Sequence, residues 1–235
     1  AGEIDKWDKS ESDEADPLDL FLERGREVPD RKTICEGTPT LRGKSRVERG
    51  VERGTNCRFH VPCPKCGEHQ ELSDPMWDER KGWEFPPSSL IFDVDAKNLA
   101  TADQAFDTAR YRCGFCSHEF SDVHRKPAIR RGVGLPAGCA VDKRGKVVGT
   151  PLNDGPEASF QLGRIYAPTF TFGDIARGLV DSTRDEAARQ NYLNSWRGVT
   201  FQRKRIQDEW DEVAERLGDL TLESSLVIWP PDGAL

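Results

Sequence analysis

The sequence has no run of 18 apolar residues, so it offers no segment long enough to cross a membrane. Its start is acidic and lacks the apolar stretch of a signal peptide, so we expect an intracellular, reduced protein. The Gly-x-x-x-x-Gly-Lys-Ser/Thr phosphate-binding loop (P-loop) is also missing. Gly43-Lys44-Ser45 has the right last three residues, but Thr38 stands where the first Gly belongs. We interpret Ser45 as the start of a helix and expect weak or no nucleotide binding.

The composition is that of a polar chain rich in loops. Of 235 residues, 32% are charged and 36% hydrophobic, with 21 Gly and 15 Pro. The net charge of −7 is uneven, because residues 1–19 carry eight acids and two lysines, whereas residues 110–146 carry nine Arg or Lys and three acids. An acidic chain is no obvious nucleic-acid binder, but the basic stretch keeps that function open. A solvated surface explains the same charge equally well.

Seven cysteines are present, and four of them form two Cys-x-x-Cys pairs. Each two-residue spacer lets both thiolates point at one ion, and Gly67 after the first pair allows the necessary turn. Four thiolates match the tetrahedral ligand set of a structural Zn²⁺. We therefore predict Cys63, Cys66, Cys113 and Cys116 as zinc ligands. A closed set of four leaves no coordination position for catalysis.

Several other interpretations of the cysteines stay open. A redox Cys-x-x-Cys would occur once, before a helix, and a four-cysteine iron–sulfur site is less common in this arrangement. The odd count argues against a secreted disulfide protein. A nearby histidine (His60, His69, His118 or His124) or Cys57 could replace one ligand. We expect Cys35, Cys57 and Cys139 to be small hydrophobic residues.

Hydrophobic periodicity and breaker residues predict the secondary structure. Strand-like alternation surrounds the first Cys pair, and the chain after residue 170 is mainly helical. Predicted helices cover residues 16–27, 45–53, 172–182, 185–196 and 204–217. Predicted strands or extended segments cover residues 32–35, 57–72, 160–162 and 165–168.

Three groups of residues together resemble one known family. The first is Glu3-Ile4-Asp5-Lys6-Trp7. The second runs from Pro29-Asp30-Arg31-Lys32 through Gly37-Thr38-Pro39-Thr40 to Ser45-Arg46-Val47-Glu48. The third is Phe59 to Gly67 with Tyr111-Arg112-Cys113 and Cys116. Together with the stretch from Tyr192 to Gly198, they resemble the large terminase subunit of lambda-type tailed bacteriophages, the motor that packages phage DNA.

This resemblance implies a P-loop ATPase followed by an endonuclease, both hydrolases, with the present sequence in the middle. Glu3 matches the Glu that polarises the attacking water, while Gly2 stands where the Mg²⁺-holding Asp belongs. Gly37, Thr38, Pro39 and Thr40 match the loop that couples ATP hydrolysis to DNA movement. The implied cofactors are ATP and Mg²⁺, and the implied partners are double-stranded DNA, the small subunit and the portal, in the host cytoplasm. Homo-oligomerisation is compatible with the resemblance, and we expect the chain alone to be inactive.

The predicted fold class is α/β with a β-rich zinc ribbon. We assign residues 1–55 to the edge of an ATPase sheet, 56–132 to the zinc-ribbon module, and 133–235 to a loop and helical linker. The predicted nucleic-acid contacts are Arg125, Lys126, Arg130 and Arg131. The alternative function is a non-enzymatic zinc-ribbon protein that binds nucleic acid or a protein partner.

Overall fold

The computed structural model describes residues 1–7 and 15–203. Residues 1–201 form one compact unit. The second unit, residues 202–235, lies almost entirely outside the described residues, and so does the helix predicted over 204–217. Among the described helices, none is long and apolar enough to cross a membrane.

The helices begin where the sequence supplies capping side chains. The Asp16 carboxylate accepts a hydrogen bond from the Leu18 amide, and the Ser45 hydroxyl accepts one from the Glu48 amide. Thr171 and Asp174 form a reciprocal capping box. The α-helices are α1 (Pro17–Arg24), α2 (Arg46–Arg53), α3 (Ala102–Thr108), α4 (Asp122–Arg130), α5 (Phe172–Asp181) and α6 (Glu186–Asn191), and a π-helical segment, Tyr192–Arg197, follows α6.

Short strands form four small sheets within residues 1–7 and 15–203. The strands are β1 (Cys57–Pro62), β2 (His69–Glu71), β3 (Met76–Asp78), β4 (Gly82–Glu84), β5 (Ser89–Ile91), β6 (Arg110–Arg112), β7 (Glu119–Phe120), β8 (Val133–Leu135), β9 (Ala140–Val141), β10 (Val147–Val148) and β11 (Phe160–Gln161). β1 pairs with β2, β8 and β11, and β6 pairs with β5 and β7. The β3–β4 and β9–β10 pairs are separate hairpins.

Among the described residues, one hydrophobic core joins β1, β4–β7, α3–α5 and the π-helical segment. Val61 of β1, Tyr111 of β6 and Phe172 of α5 are buried in it. The Tyr111 hydroxyl also accepts a hydrogen bond from the Ser73 amide, so the core contains a satisfied polar centre. This packing holds the two Cys-bearing hairpins, β1–β2 and β6–β7, in one core with α5 and the π-helical segment.

The mixed α/β class and most helix predictions are confirmed, but two extended segments were predicted wrongly. Residues 32–35 form no strand; this exposed segment is held by bonds such as Ala1 ammonium to Ile34 carbonyl, 2.6 Å, and Glu36 amide to Ala1 carbonyl, 2.9 Å. The segment predicted over 165–168 contains a 3₁₀ turn, Arg164–Tyr166. Among the described residues 1–7 and 15–55, no named strand forms the expected sheet edge.

The predicted divisions 1–55, 56–132 and 133–235 stay a functional prediction. In the structure, β1 pairs with β8 and β11, which come from the third segment. The packing of the Cys-bearing hairpins therefore depends on residues beyond 132.

Candidate metal centre and the Glu3–Thr38 contact

The fold brings the two Cys pairs together. The sulfur atoms of Cys63, Cys66, Cys113 and Cys116 all lie within 4.8 Å of one another. The Cys63–Cys116 and Cys66–Cys113 sulfur distances are both 3.8 Å. A disulfide would need about 2.05 Å, whereas two thiolates about 2.3 Å from one tetrahedral ion lie about 3.8 Å apart. The spacing therefore fits a single tetrahedral metal.

Each pair lies at the tip of a hairpin with the same backbone pattern. The Cys63 amide donates to the Glu68 carbonyl at 2.9 Å, and the Cys113 amide donates to the His118 carbonyl at 3.0 Å. The amides two residues after Cys63 and Cys113 each point to that cysteine's sulfur at 3.4 Å. Amide donors stabilise thiolate charge, so both tips are built in the way that a metal-bound sulfur requires.

The electrostatic surroundings of the sulfurs differ with burial. Burial raises the pKa of the Cys63 thiol to about 12, and it also raises the pKa of Cys66. A backbone hydrogen bond from His118 lowers the pKa of the more exposed Cys116. Because a buried thiolate without a cation is unfavourable, this site needs a positive ion to hold four ionised sulfurs.

The turn after the second cysteine of each pair has positive φ, and only one of the two turns has glycine there. Gly67 has φ 76° and Ser117 has φ 55°. We expect Gly67→Ala to lower the free energy of unfolding by about 1–2 kcal/mol, because an L side chain is strained there. Ser117→Gly should raise it by about 0.5–1 kcal/mol, the relieved strain less the added entropy of the unfolded chain. Chemical denaturation of both variants measures the difference.

Gly50→Ala is a matched control for that pair, since an added Cβ at Gly50 or Gly67 would meet no atom within 4 Å. Gly50 lies inside α2, so alanine should stabilise by about 0.5–1 kcal/mol. If Gly67→Ala stabilised the protein as Gly50→Ala does, the strain argument would be wrong.

The remaining cysteines and histidines do not join the cluster, the only group of its kind among the described residues. Cys57 is buried and 3.3 Å from the Thr55 hydroxyl, and Cys139 is half-buried. Cys35 is exposed, and its interpretation as a small hydrophobic residue stays a prediction.

A second constellation lies at the start of the described chain. Glu3 has φ 52°, and its carboxylate is 3.0 Å from the Lys6 ammonium. Hydrogen bonds from Lys6 and from the Thr38 backbone lower the pKa of Glu3, so this carboxylate is ionised at neutral pH. A Cβ added at Gly37 would lie 3.3 Å from Glu3 Cα and 3.1 Å from the Ile4 nitrogen. Glycine at position 37 therefore permits the close approach of the two segments.

Sequence reasoning did not single out Asp5 and Arg46, which hold these segments together. The Asp5 carboxylate accepts hydrogen bonds from the Thr40 hydroxyl at 3.0 Å and the Val47 amide at 2.9 Å. The buried Arg46 guanidinium donates to the Ile4 and Trp7 carbonyls and pairs with Asp16. Both residues lie inside the matched segments, but only their contacts reveal the role.

The part of the chain that contains both constellations matches a known protein family. Residues 1–133, more than half of the chain, match the family described as phage terminase large subunit gpA, ATPase domain. The chain belongs to this family. The match includes Glu3, the loop at 37–40 and all four clustered cysteines, so both constellations lie within the terminase segment.

Two curated terminase relatives extend the similarity beyond residue 133. The chain is 25% identical to the terminase large subunit of Escherichia phage lambda over 179 residues, covering 74% of the chain and 25% of the relative. It is 23% identical to that of Enterobacteria phage P21 over 206 residues, covering 83% and 27%. The chain thus spans about a quarter of these relatives' length. No solved structure matches.

The four basic residues predicted to contact nucleic acid fall into two groups. Lys126, Arg130 and Arg131 are exposed on or just after α4 and stay a prediction. Arg125 is fully buried, so its assignment to a nucleic-acid surface was wrong. Its guanidinium pairs with Asp122 at 2.7 Å, donates to the Ile165 and Phe170 carbonyls, and lies over the Phe172 ring.

Proposed function

We propose that this chain works in an ATP-driven motor that moves double-stranded DNA during phage packaging. The observation that carries the proposal is the contact between Glu3 and the Thr38 loop. In the motor, ATP with Mg²⁺ supplies the reacting phosphate, and a carboxylate near it orients the attacking water. The ionised Glu3 carboxylate would suit that role, and the backbone bond from Thr38 links it to the loop that precedes α2.

Asp5 supports the coupling part of this proposal. Its carboxylate bonds both to Thr40 in the loop and to the first turn of α2, so a shift of Glu3 and Asp5 would reach the helix. The sequence has no P-loop. We therefore expect the isolated chain to show no ATP hydrolysis above background.

The test is a chimera in which residues 3–203 replace the matching segment of a lambda-type large subunit, so that the host subunit keeps its own Mg²⁺-holding Asp at the position of Gly2. Glu3→Gln should lower ATP hydrolysis and DNA packaging by at least about 100-fold, because the amide cannot polarise water, while the shape is kept. Glu23→Gln on α1 is the control and should leave both activities unchanged. Equal activity of the Glu3→Gln chimera and its parent would refute the motor role.

We also propose that the four cysteines hold one structural zinc ion. The 3.8 Å sulfur spacings and the amide donors at both tips support it. A four-sulfur set closes the coordination shell, so the ion would join the two hairpins rather than react. Cys63 and Cys116 are 53 residues apart in sequence. The packing of one tip against the other would therefore depend on the metal.

The remaining parts of the proposed function follow the family. The partners are double-stranded DNA, the terminase small subunit and the portal, and the place of action is the host cytoplasm. We assign endonuclease activity to other parts of the large subunit. Within the described residues, the cysteines are the only cluster of metal-ligating side chains, and their soft sulfurs do not suit Mg²⁺.

A further inference from the structure

The β9–β10 hairpin, residues 140–148, has a basic tip that no part of the proposed function uses. The tip reads Asp142-Lys143-Arg144-Gly145-Lys146, with three cations and one acid. All four charged residues are exposed. We call residues 140–148 the basic hairpin.

The tip of the basic hairpin is rigidly organised. One Asp142 carboxylate oxygen accepts hydrogen bonds from the Arg144 and Lys146 amides, both at 2.9 Å. Gly145 has φ 82°, and its amide donates to the Asp142 carbonyl at 2.9 Å. The single acid is therefore occupied by the backbone of the turn, and the cationic side chains project from a fixed loop.

The basic hairpin is also anchored on the first Cys-bearing tip. The Lys143 ammonium lies 2.9 Å from the Glu68 carboxylate, two residues after Cys66. An added Cβ at Gly145 would be 3.5 Å from the His69 ring. Lys143 thus pairs with the first Cys-bearing tip, whereas the charged ends of Arg144 and Lys146 form no ion pair among the described residues.

We propose that Arg144 and Lys146 bind the phosphate backbone of duplex DNA, with the basic hairpin placed beside the first Cys-bearing tip. This inference rests on the proposed DNA-packaging function for the choice of polyanion. The loop backbone is preformed, so only the two exposed cationic side chains, which have no carboxylate partner, need to be ordered when they meet phosphates. Such contacts position a duplex without reading its sequence.

The β3–β4 hairpin provides a matched control within the same chain. Its tip, Asp78-Glu79-Arg80-Lys81-Gly82, has the same design, because Asp78 accepts hydrogen bonds from the Arg80 and Lys81 amides at 2.8 Å and Gly82 has φ 77°. Two acids and two cations cancel there, so the tip has no net charge. Its exposed cations test whether any exposed positive charge on this protein contributes to DNA binding.

The experiment measures binding of the whole chain to a labelled duplex of arbitrary sequence, by fluorescence anisotropy over a range of salt concentrations. Arg144→Gln/Lys146→Gln should weaken binding at least about tenfold near 0.1 M salt. Because each lost phosphate contact removes about 0.9 from the slope of log K against log salt, the slope should shrink by about 1.8. Arg80→Gln/Lys81→Gln should change neither quantity, and Arg144→Lys/Lys146→Arg should retain binding.

The inference is overturned if Arg144→Gln/Lys146→Gln and Arg80→Gln/Lys81→Gln behave alike, or if the parent chain does not bind the duplex. A preference for heparin over DNA with the same loss in the variant would also overturn it, since the partner would then be another polyanion. At the tip, the Asp142 carboxylate bonds only to the backbone amides of residues 144 and 146. The side-chain substitutions at these two positions should therefore keep the parent's unfolding temperature. These readouts involve no ATP, so they can fail while the Glu3 chimera test succeeds, and the reverse.

Discussion

Replacing Cys113 with serine is expected to abolish metal binding and to destabilise the whole unit of residues 1–201. The Cys113 sulfur is fully buried and lies 3.8 Å from that of Cys66. Structural zinc in small sites contributes an apparent binding free energy of about 10–16 kcal/mol that depends on the full ligand set. We expect the zinc content to fall from one ion per chain to nearly none. The free energy of unfolding should fall by at least about 3 kcal/mol.

Metal analysis by mass spectrometry and thermal unfolding measure both effects. The matched control is Cys57→Ser, a buried thiol outside the cluster, which should keep its zinc. In the parent protein, four thiols should resist a thiol reagent until a chelator is added, whereas the exposed Cys35 should react at once. Reaction of the four clustered thiols before chelation, or a full zinc content in Cys113→Ser, would contradict the proposed site.

Removing the Arg125 guanidinium should lower the free energy of unfolding almost as much as Cys113→Ser does. The sequence had predicted that this residue faces nucleic acid. Arg125→Met would leave the Asp122 carboxylate and the Ile165 and Phe170 carbonyls without their buried donor. Each buried acceptor left without a donor costs about 1–3 kcal/mol, and the two carbonyls contribute most because the Asp122 side chain is 28% exposed. Because the Asp122 carboxylate also accepts from the Phe172 amide at 2.9 Å, the loss should loosen the α4–α5 junction.

Denaturant unfolding of Arg125→Met beside Lys126→Met tests this assignment. The exposed Lys126 should change stability by less than about 0.5 kcal/mol. Arg125→Lys should also lower the free energy of unfolding, since an ammonium cannot donate to the Asp122, Ile165 and Phe170 oxygens as the planar guanidinium does. If Arg125→Met kept full stability and lost DNA binding, Arg125 would belong to the nucleic-acid surface after all.

The difference between Arg125 and Arg144 shows why a basic stretch in sequence does not define a binding surface. Both belong to the region of net positive charge at residues 110–146. Arg125 faces inward because it begins the second turn of α4, where Asp122, α5 and the Arg164–Tyr166 turn surround it. Arg144 faces outward because Asp142 closes a tight turn beneath it. No charge count separates the two.

The sequence by itself determined the local features. Spacing of Cys-x-x-Cys identified the four clustered sulfurs, and capping residues such as Asp16 and Ser45 located helix starts, because these signals act within a few residues. The resemblance to terminases also came from short segments read directly from the chain, and the family match confirmed it.

The tertiary structure alone decided what depends on distant partners. It brought Glu3 to the Thr38 loop, turned Arg125 into the core, and set the basic hairpin on the first Cys-bearing tip. It also showed that residues 32–35 bond to Ala1 without forming a strand. The physical reason is that burial, charge pairing and strand formation are properties of a residue and its contacts. Those contacts join positions 35 to more than 70 residues apart, which no local pattern records.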